Sequence, residues 1–145
     1  MAETRQLARQ KKIALVAHNN KKDDLIDWAF TNKEFLSQHI LYATGSTGKL
    51  IGDKLQLPVN KLLSGPLGGD QQIGAMIAEG DMDFMVFFWD PLEAQPHDSD
   101  VKAVLRLGVA WNILIANNRT TADFIVTSAL MSGSYEIKLD DYSRF

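Results

Sequence analysis

Cysteine is absent from all 145 residues, which rules out a disulfide frame, a thiolate nucleophile and a cysteine-based zinc site, and is compatible with a reducing cytoplasm. No run of about 18 uninterrupted apolar residues occurs, so no membrane-spanning helix is expected. Met1 to Lys12 reads as a polar, basic N-terminal extension without the apolar stretch of a secretory signal. A soluble protein follows as the expectation. There is also no charge excess: 15 basic against 18 acidic side chains leave a formal charge of -3, with no general attraction for nucleic acid or an anionic membrane. Any anion must be held by a built site. Linkers, low-complexity stretches and fixed-period repeats are missing too, and 145 residues at 46% hydrophobic suit one domain over 1–145.

What is present is a series of short apolar runs: Ile13 to Ala17, Ile40 to Ala43, Lys61 to Leu63, Phe84 to Phe88 and Ile113 to Ala116. Their hydrophobicity is continuous rather than alternating, the pattern of strands covered on both faces in a parallel sheet. Between them the spacing predicts helices over Lys22 to Gln38, Thr47 to Lys54, Asp70 to Glu79, Asp98 to Ala110 and Thr120 to Thr127. This alternation implies βαβ units and an α/β fold. Tyr135 to Leu139 reads as an edge strand. Phe84, Phe87, Phe88 and Trp89 read as sheet core, whereas Trp28 and Trp111 fit either core or an interface.

In such folds the turns after the strands gather into one crevice. Here those turns are polar: Ala17 to Lys22, Ala43 to Gly48, Ser64 to Gln72, and Trp89 to Pro91 running on to Pro96 to Asp100. Two nucleotide motifs fail. A Walker loop needs a glycine where Ala43 stands and a hydroxyl where Leu50 stands, and a dinucleotide fingerprint needs glycines where His18 to Lys22 stand. A small phosphate ester fits better. Thr44, Ser46 and Thr47 offer hydroxyls around Gly45 and Gly48, backbone amides at the next helix start would face an oxyanion, and Lys22 would supply counter-charge. The plainer reading is that these residues cap helices and that Lys22 is solvated.

Asp70 stands where an N-cap belongs, ahead of Ile73, Met76 and Ile77. Capping holds a carboxylate ionised and makes it a weaker base, so a catalytic Asp70 requires desolvation or a second carboxylate, such as Asp90 or Asp100, to oppose that effect. Asp90-Pro91 is otherwise a common turn. His97 lies in a loop without core periodicity and suits a cleft, where a neutral imidazole polarises a carbonyl and moves protons. His39, with no polar constellation around it, reads as structural or surface. His18, His97, Asp70 and Asp90 are ligand types for a divalent metal, but no tight motif joins them and no metal is expected.

Ala17-His18, Tyr42 to Gly48, Ser64 to Gln72, Asp90 to Leu92 and Gln95 to His97, taken jointly and in order, resemble the methylglyoxal synthase family over about Ile13 to Arg144. That resemblance implies a three-layer, Rossmann-like single domain with a five-stranded, mainly parallel sheet flanked by helices. It implies a homohexamer that converts dihydroxyacetone phosphate to methylglyoxal and inorganic phosphate without cofactor, phosphate being product and inhibitor. It makes Asp70 the base and His97 the group on the carbonyl side, with Asp90 and Asp100 shaping the site. His18, Lys22, Thr44, Gly45, Ser46, Thr47, Ser64 and Gly65 match substrate- or phosphate-binding positions. Ser46 replaces the more usual threonine, and Asn19 stands where many members have Asp, altering the pairing open to Arg106. The competing expectation is a noncatalytic sensor of phosphorylated metabolites on the same fold; a purely structural role leaves the polar strand ends unexplained.

Overall fold

The computed structural model describes residues 3–96 and 98–145. Its centre is a five-stranded sheet formed by β2 (Lys12–Ala17), β3 (Ile40–Thr44), β4 (Asn60–Leu62), β5 (Phe84–Phe88) and β6 (Leu114–Ala116), following a first strand β1 (Glu3–Leu7) that lies elsewhere. The order across the sheet is β4-β3-β2-β5-β6, and every pair is parallel. The apolar runs are continuous because the sheet is covered twice. Ile13, Leu15, Phe84, Val86 and Phe88 face α1 (Lys22–Thr31), α3 (Gly45–Leu55) and α6 (Arg119–Val126). Ala14, Val16, Met85 and Phe87 face α4 (Gly69–Ala78) and α5 (Asp98–Ala110). Each fully buried Leu, Ile, Val or Phe in these layers stabilises the fold by about 1.5–3 kcal/mol relative to exposure. This is the three-layer α/β domain. Among the described residues, no helix is long and apolar enough to cross a membrane.

One long helix was expected over Lys22 to Gln38; the structure breaks it at Asn32, whose backbone turns to φ -104°, ψ 24°. The Asn32 amide donates to the carbonyl of Trp28 at 2.9 Å, satisfying an acceptor at the helix end, and the short α2 (Lys33–Leu36) follows. Trp28 itself is core. It is fully buried, its indole N–H donates to Asp123 at 2.9 Å, and its ring meets Phe88 edge-on. Trp111 is half-buried against Tyr142.

The segment read as a polar extension is in fact structured: β1 pairs antiparallel with β7 (Tyr135–Leu139) in a second, two-stranded sheet. Its polarity concealed it. Only Leu7 is buried in β1, and the anchoring is done by charged side chains. Arg5 donates to the carbonyls of Gly80 and Met82 at 3.1 and 3.0 Å and to Asp83 at 2.8 Å. Lys11, buried beyond the strand, donates to the carbonyls of Ala8, Arg9 and Gly133, and burial pushes its ammonium below its ordinary pKa. His39 accepts from the Lys11 backbone N–H through Nδ1 at 2.9 Å and packs on Phe35, which supports its structural reading.

The tightest approach in the fold lies at the start of α4. A Cβ added to Gly69 would sit 2.0 Å from the Leu63 carbonyl oxygen, a distance no side chain tolerates. Gly69→Ala is therefore expected to lower stability by about 2 kcal/mol or more, seen as a reduced urea midpoint at unchanged slope.

Candidate active site

Reading the sheet from its middle strand, β2, the chain runs to β3 and β4 on one side and to β5 and β6 on the other. Ligand crevices in open α/β sheets form beyond the carboxyl ends of the strands at such a reversal. A cleft of about 270 Å³ lies there, floored by Val16, Ala17 and Phe87. His18, Lys22, Thr44, Gly45, Ser46, Thr47, Ser64, Gly65 and Asp70 line its walls, so nine of the sequence-selected residues share one cavity.

The anion-facing wall is the start of α3. Gly45 takes a left-handed φ of 57°, and a Cβ there would press within 3.3 Å of the Ser64 Cβ, so glycine lets the two turns meet. The N-cap, Thr44, makes no side-chain capping bond. The first amides of a helix lack intrahelical acceptors and sit at its positive end, so Gly45, Ser46 and Thr47 present uncapped donors beside hydroxyls. Lys22 at the start of α1 donates to Ser46 Oγ at 3.0 Å, which brings a cation to the same wall.

A second wall, meeting the first at Gly45 and Ser64, follows β4. Ser64 starts a tight turn over 65–67, its carbonyl accepting from the N–H groups of Leu67 and Gly69 at 3.0 and 2.9 Å. Gly68, with φ 119°, is the N-cap of α4, so Asp70 is the second residue of the helix rather than its cap as the sequence suggested. Its N-terminal placement still favours a negative charge. Asp70 is only 1% exposed and lies on the wall of the cleft.

The two other carboxylates are placed differently. Asp90, buried after β5, does not line the cleft; its backbone N–H donates to His18 Nδ1 at 3.1 Å. Its carboxylate accepts from the Asn20 amide at 3.0 Å and from the Leu92 N–H at 3.1 Å, the latter being the turn that Asp-Pro suggested. These bonds, chiefly that of Asn20, hold its pKa below the ordinary 3.8, with help from nearby Lys21 and against the effect of burial. Asp100 lines a separate, mostly apolar groove between α4 and α5, which Asp70 also borders. Asp70 thus shares a cavity with Asp100 but not with Asp90. His97 lies outside the described residues. On either side of it, the Gln95 N–H donates to Asp98 at 3.1 Å, and Gln95 reaches the cleft.

Among the described residues no group of three or more His, Asp or Glu side chains is arranged to hold a metal. Asn19 also borders the cleft, whereas Arg106 is exposed on α5, away from it. Asn20 and Gln95 stand in strand-end segments that the sequence had marked, Ala17 to Lys22 and Gln95 to His97, but neither was singled out as a site residue.

A family model for the MGS-like domain matches residues 24–117. A methylglyoxal synthase of Pectobacterium atrosepticum is 57% identical over 142 residues, covering 98% of this chain and 93% of that protein. The chain belongs to the methylglyoxal synthase family. Another member, from Leptospira interrogans, is 56% identical over 133 residues, with 92% of this chain and 90% of that one covered. The crystal structure of the methylglyoxal synthase from Elizabethkingia anophelis superposes with a TM-score of 0.92 at 52% identity, over 97% of this chain and 93% of the other. The expected fold of the methylglyoxal synthase family is therefore the fold observed.

Because Asp90 titrates below its ordinary value when folded, its contribution to stability is complete above pH 3.8 and is lost as pH falls through the folded value. Acid unfolding of the wild type is expected to lose more stability below pH 3.8 than that of Asp90→Asn. Equal acid dependence in the two proteins would remove this assignment.

Proposed function

We propose that the cleft takes dihydroxyacetone phosphate and converts it, without cofactor, into methylglyoxal and inorganic phosphate, making the protein a carbon–oxygen lyase. One observation carries the reading: a buried carboxylate, Asp70, borders the same small cleft as the uncapped start of α3 and the Lys22 ammonium. The names of the relatives point the same way, and the noncatalytic-sensor alternative finds no support in them.

In this reading the phosphate rests against the amides and hydroxyls of Gly45, Ser46 and Thr47, with Lys22, His18, Ser64 and Gly65 completing the clamp. Asp70 removes a proton from the hydroxymethyl carbon next to the ketone, leaving an enediolate. The electron pair then shifts from the enediolate and the carbon–oxygen bond to phosphate breaks. Phosphate departs with that bond's electrons, and the enol left behind tautomerises to methylglyoxal. Overlap with the π system requires the breaking bond to stand out of the enediolate plane, which a phosphate gripped on two sides enforces. An isomerase would hold it in the plane and return the proton to carbon.

Asp70, His97, Asp90 and Asp100 take the acid–base and site-shaping roles. For His97 and Asp100 these roles rest on the family resemblance. So do assembly as a homohexamer, a cytoplasmic location, phosphate inhibition and action as one domain over 1–145.

Purified protein given dihydroxyacetone phosphate is expected to release methylglyoxal and phosphate in equal amounts. Asp70→Asn should lower turnover by about a hundred-fold or more while melting close to the wild type. Near-normal turnover with reduced stability would make Asp70 a structural residue.

A further inference from the structure

Asn20 stands one residue beyond the cleft lining, and its amide nitrogen contacts two carboxylates: Asp90 Oδ2 at 3.0 Å and Glu93 Oε2. Both partners only accept, so the amide orientation is forced, and its two N–H groups serve one carboxylate each. Asp90 is 6% exposed, and among the described residues Asn20 is the only side chain that donates to it. The Asp90 peptide in turn donates to His18 Nδ1 at 3.1 Å.

A neutral imidazole carries one proton, and a nitrogen that accepts from a peptide N–H cannot hold it. His18 therefore carries its proton on Nε2. The distinction matters for an anion: a ring with Nε2–H offers a donor, whereas the other tautomer offers a lone pair that repels an oxyanion. We propose that Asn20 is a positioning residue for His18: by clamping the Asp90–Glu93 turn, its amide holds the Asp90 peptide against Nδ1 and so keeps the donor tautomer in a site built for phosphate. Asn20 touches no substrate. Its effect travels through the Asp90–Glu93 turn.

The inference rests on the phosphate-binding reading of the cleft but not on turnover, and its test uses readouts that need no catalysis. The chain has three histidines, and His39 also accepts from a peptide N–H at Nδ1, far from Asn20, so it serves as an internal control. With nitrogen-labelled histidine, NMR of the wild type should show His18 Nδ1 as an unprotonated acceptor and Nε2 as protonated.

Asn20→Asp keeps the size of the side chain but places a third carboxylate between two. It is expected to mix the His18 tautomers, leave the His39 signals in place, and weaken calorimetric binding of inorganic phosphate by roughly ten-fold, the size of losing a bond to a charged group. If the protein also turns over dihydroxyacetone phosphate, KM should rise by a similar factor with kcat nearly unchanged, because binding rather than the chemical step is affected. A merely structural loss would shift His39 as well and lower kcat through the active fraction. Should Asn20→Asp fail to fold, Asn20→Ala is read in the same way. A folded variant with wild-type His18 signals and wild-type phosphate affinity would overturn the proposal. Absence of methylglyoxal production by the wild type would instead sink the functional reading, leaving the tautomer measurement to decide this one.

Discussion

Helix α4 begins against the carbonyl of Leu63 so closely that only a glycine fits at Gly69, and the site is organised around that contact. The Ser64 carbonyl gathers the N–H groups of Leu67 and Gly69, which folds residues 64–69 into a compact turn between β4 and α4. Asp70 comes next in the chain, and the turn leaves it little latitude: it is buried where the helix starts, lining the same cleft as the first turn of α3. A looser connection would let the carboxylate reach water and lose both its burial and its aim. Backbone proximity fixes where in the chain the helix can start, and so where Asp70 stands.

The electrostatics of the cleft then follow from where helices start. With a formal charge of -3 the chain has no general field for an anion, so the proposed phosphate ester would have to be drawn locally. The features suited to that are the uncapped first turn of α3 and Lys22, tied to Ser46 across two elements. An acidic side chain within 270 Å³ of space needs such compensation if an anionic ester is to enter beside it. Asp90 stands apart from this balance. Its carboxylate accepts from Asn20 and Leu92, and its backbone N–H donates to His18, which braces the turn behind that ring.

The parts of the fold that were legible in the sequence are those where burial dictates composition. Phe84 to Phe88 is buried on both faces, so its unbroken apolar run announced a central strand before any contact was known. The strand-end turns were legible for a related reason: Gly45 and Gly69 occupy positions where a side chain would be strained or would collide. Three features were hidden. The break at Asn32 is a local turn of one residue's backbone and leaves the helical spacing almost unchanged. Strand β1 is held by Arg5 and the segment behind it by Lys11, residues whose charge reads as solvent exposure. The division of labour between Asp90 and Asp100, one behind His18 and the other in the α4–α5 groove, is set by tertiary placement that no local pattern encodes.

The small outer sheet bears on the order in which the molecule is assembled. Glu3 lies opposite Leu139, so a strand made before the parallel sheet has as its partner a strand made after it. The parallel sheet can collapse as its βαβ units emerge, since each strand finds a neighbour among those already made or soon to follow. β1 must wait with its edge unpaired until β7 has been made. Its run of Glu, Thr, Arg and Gln before Leu7 is then suited to that interval, because a charged, hydrophilic edge is a poor template for the nascent strands of neighbouring chains.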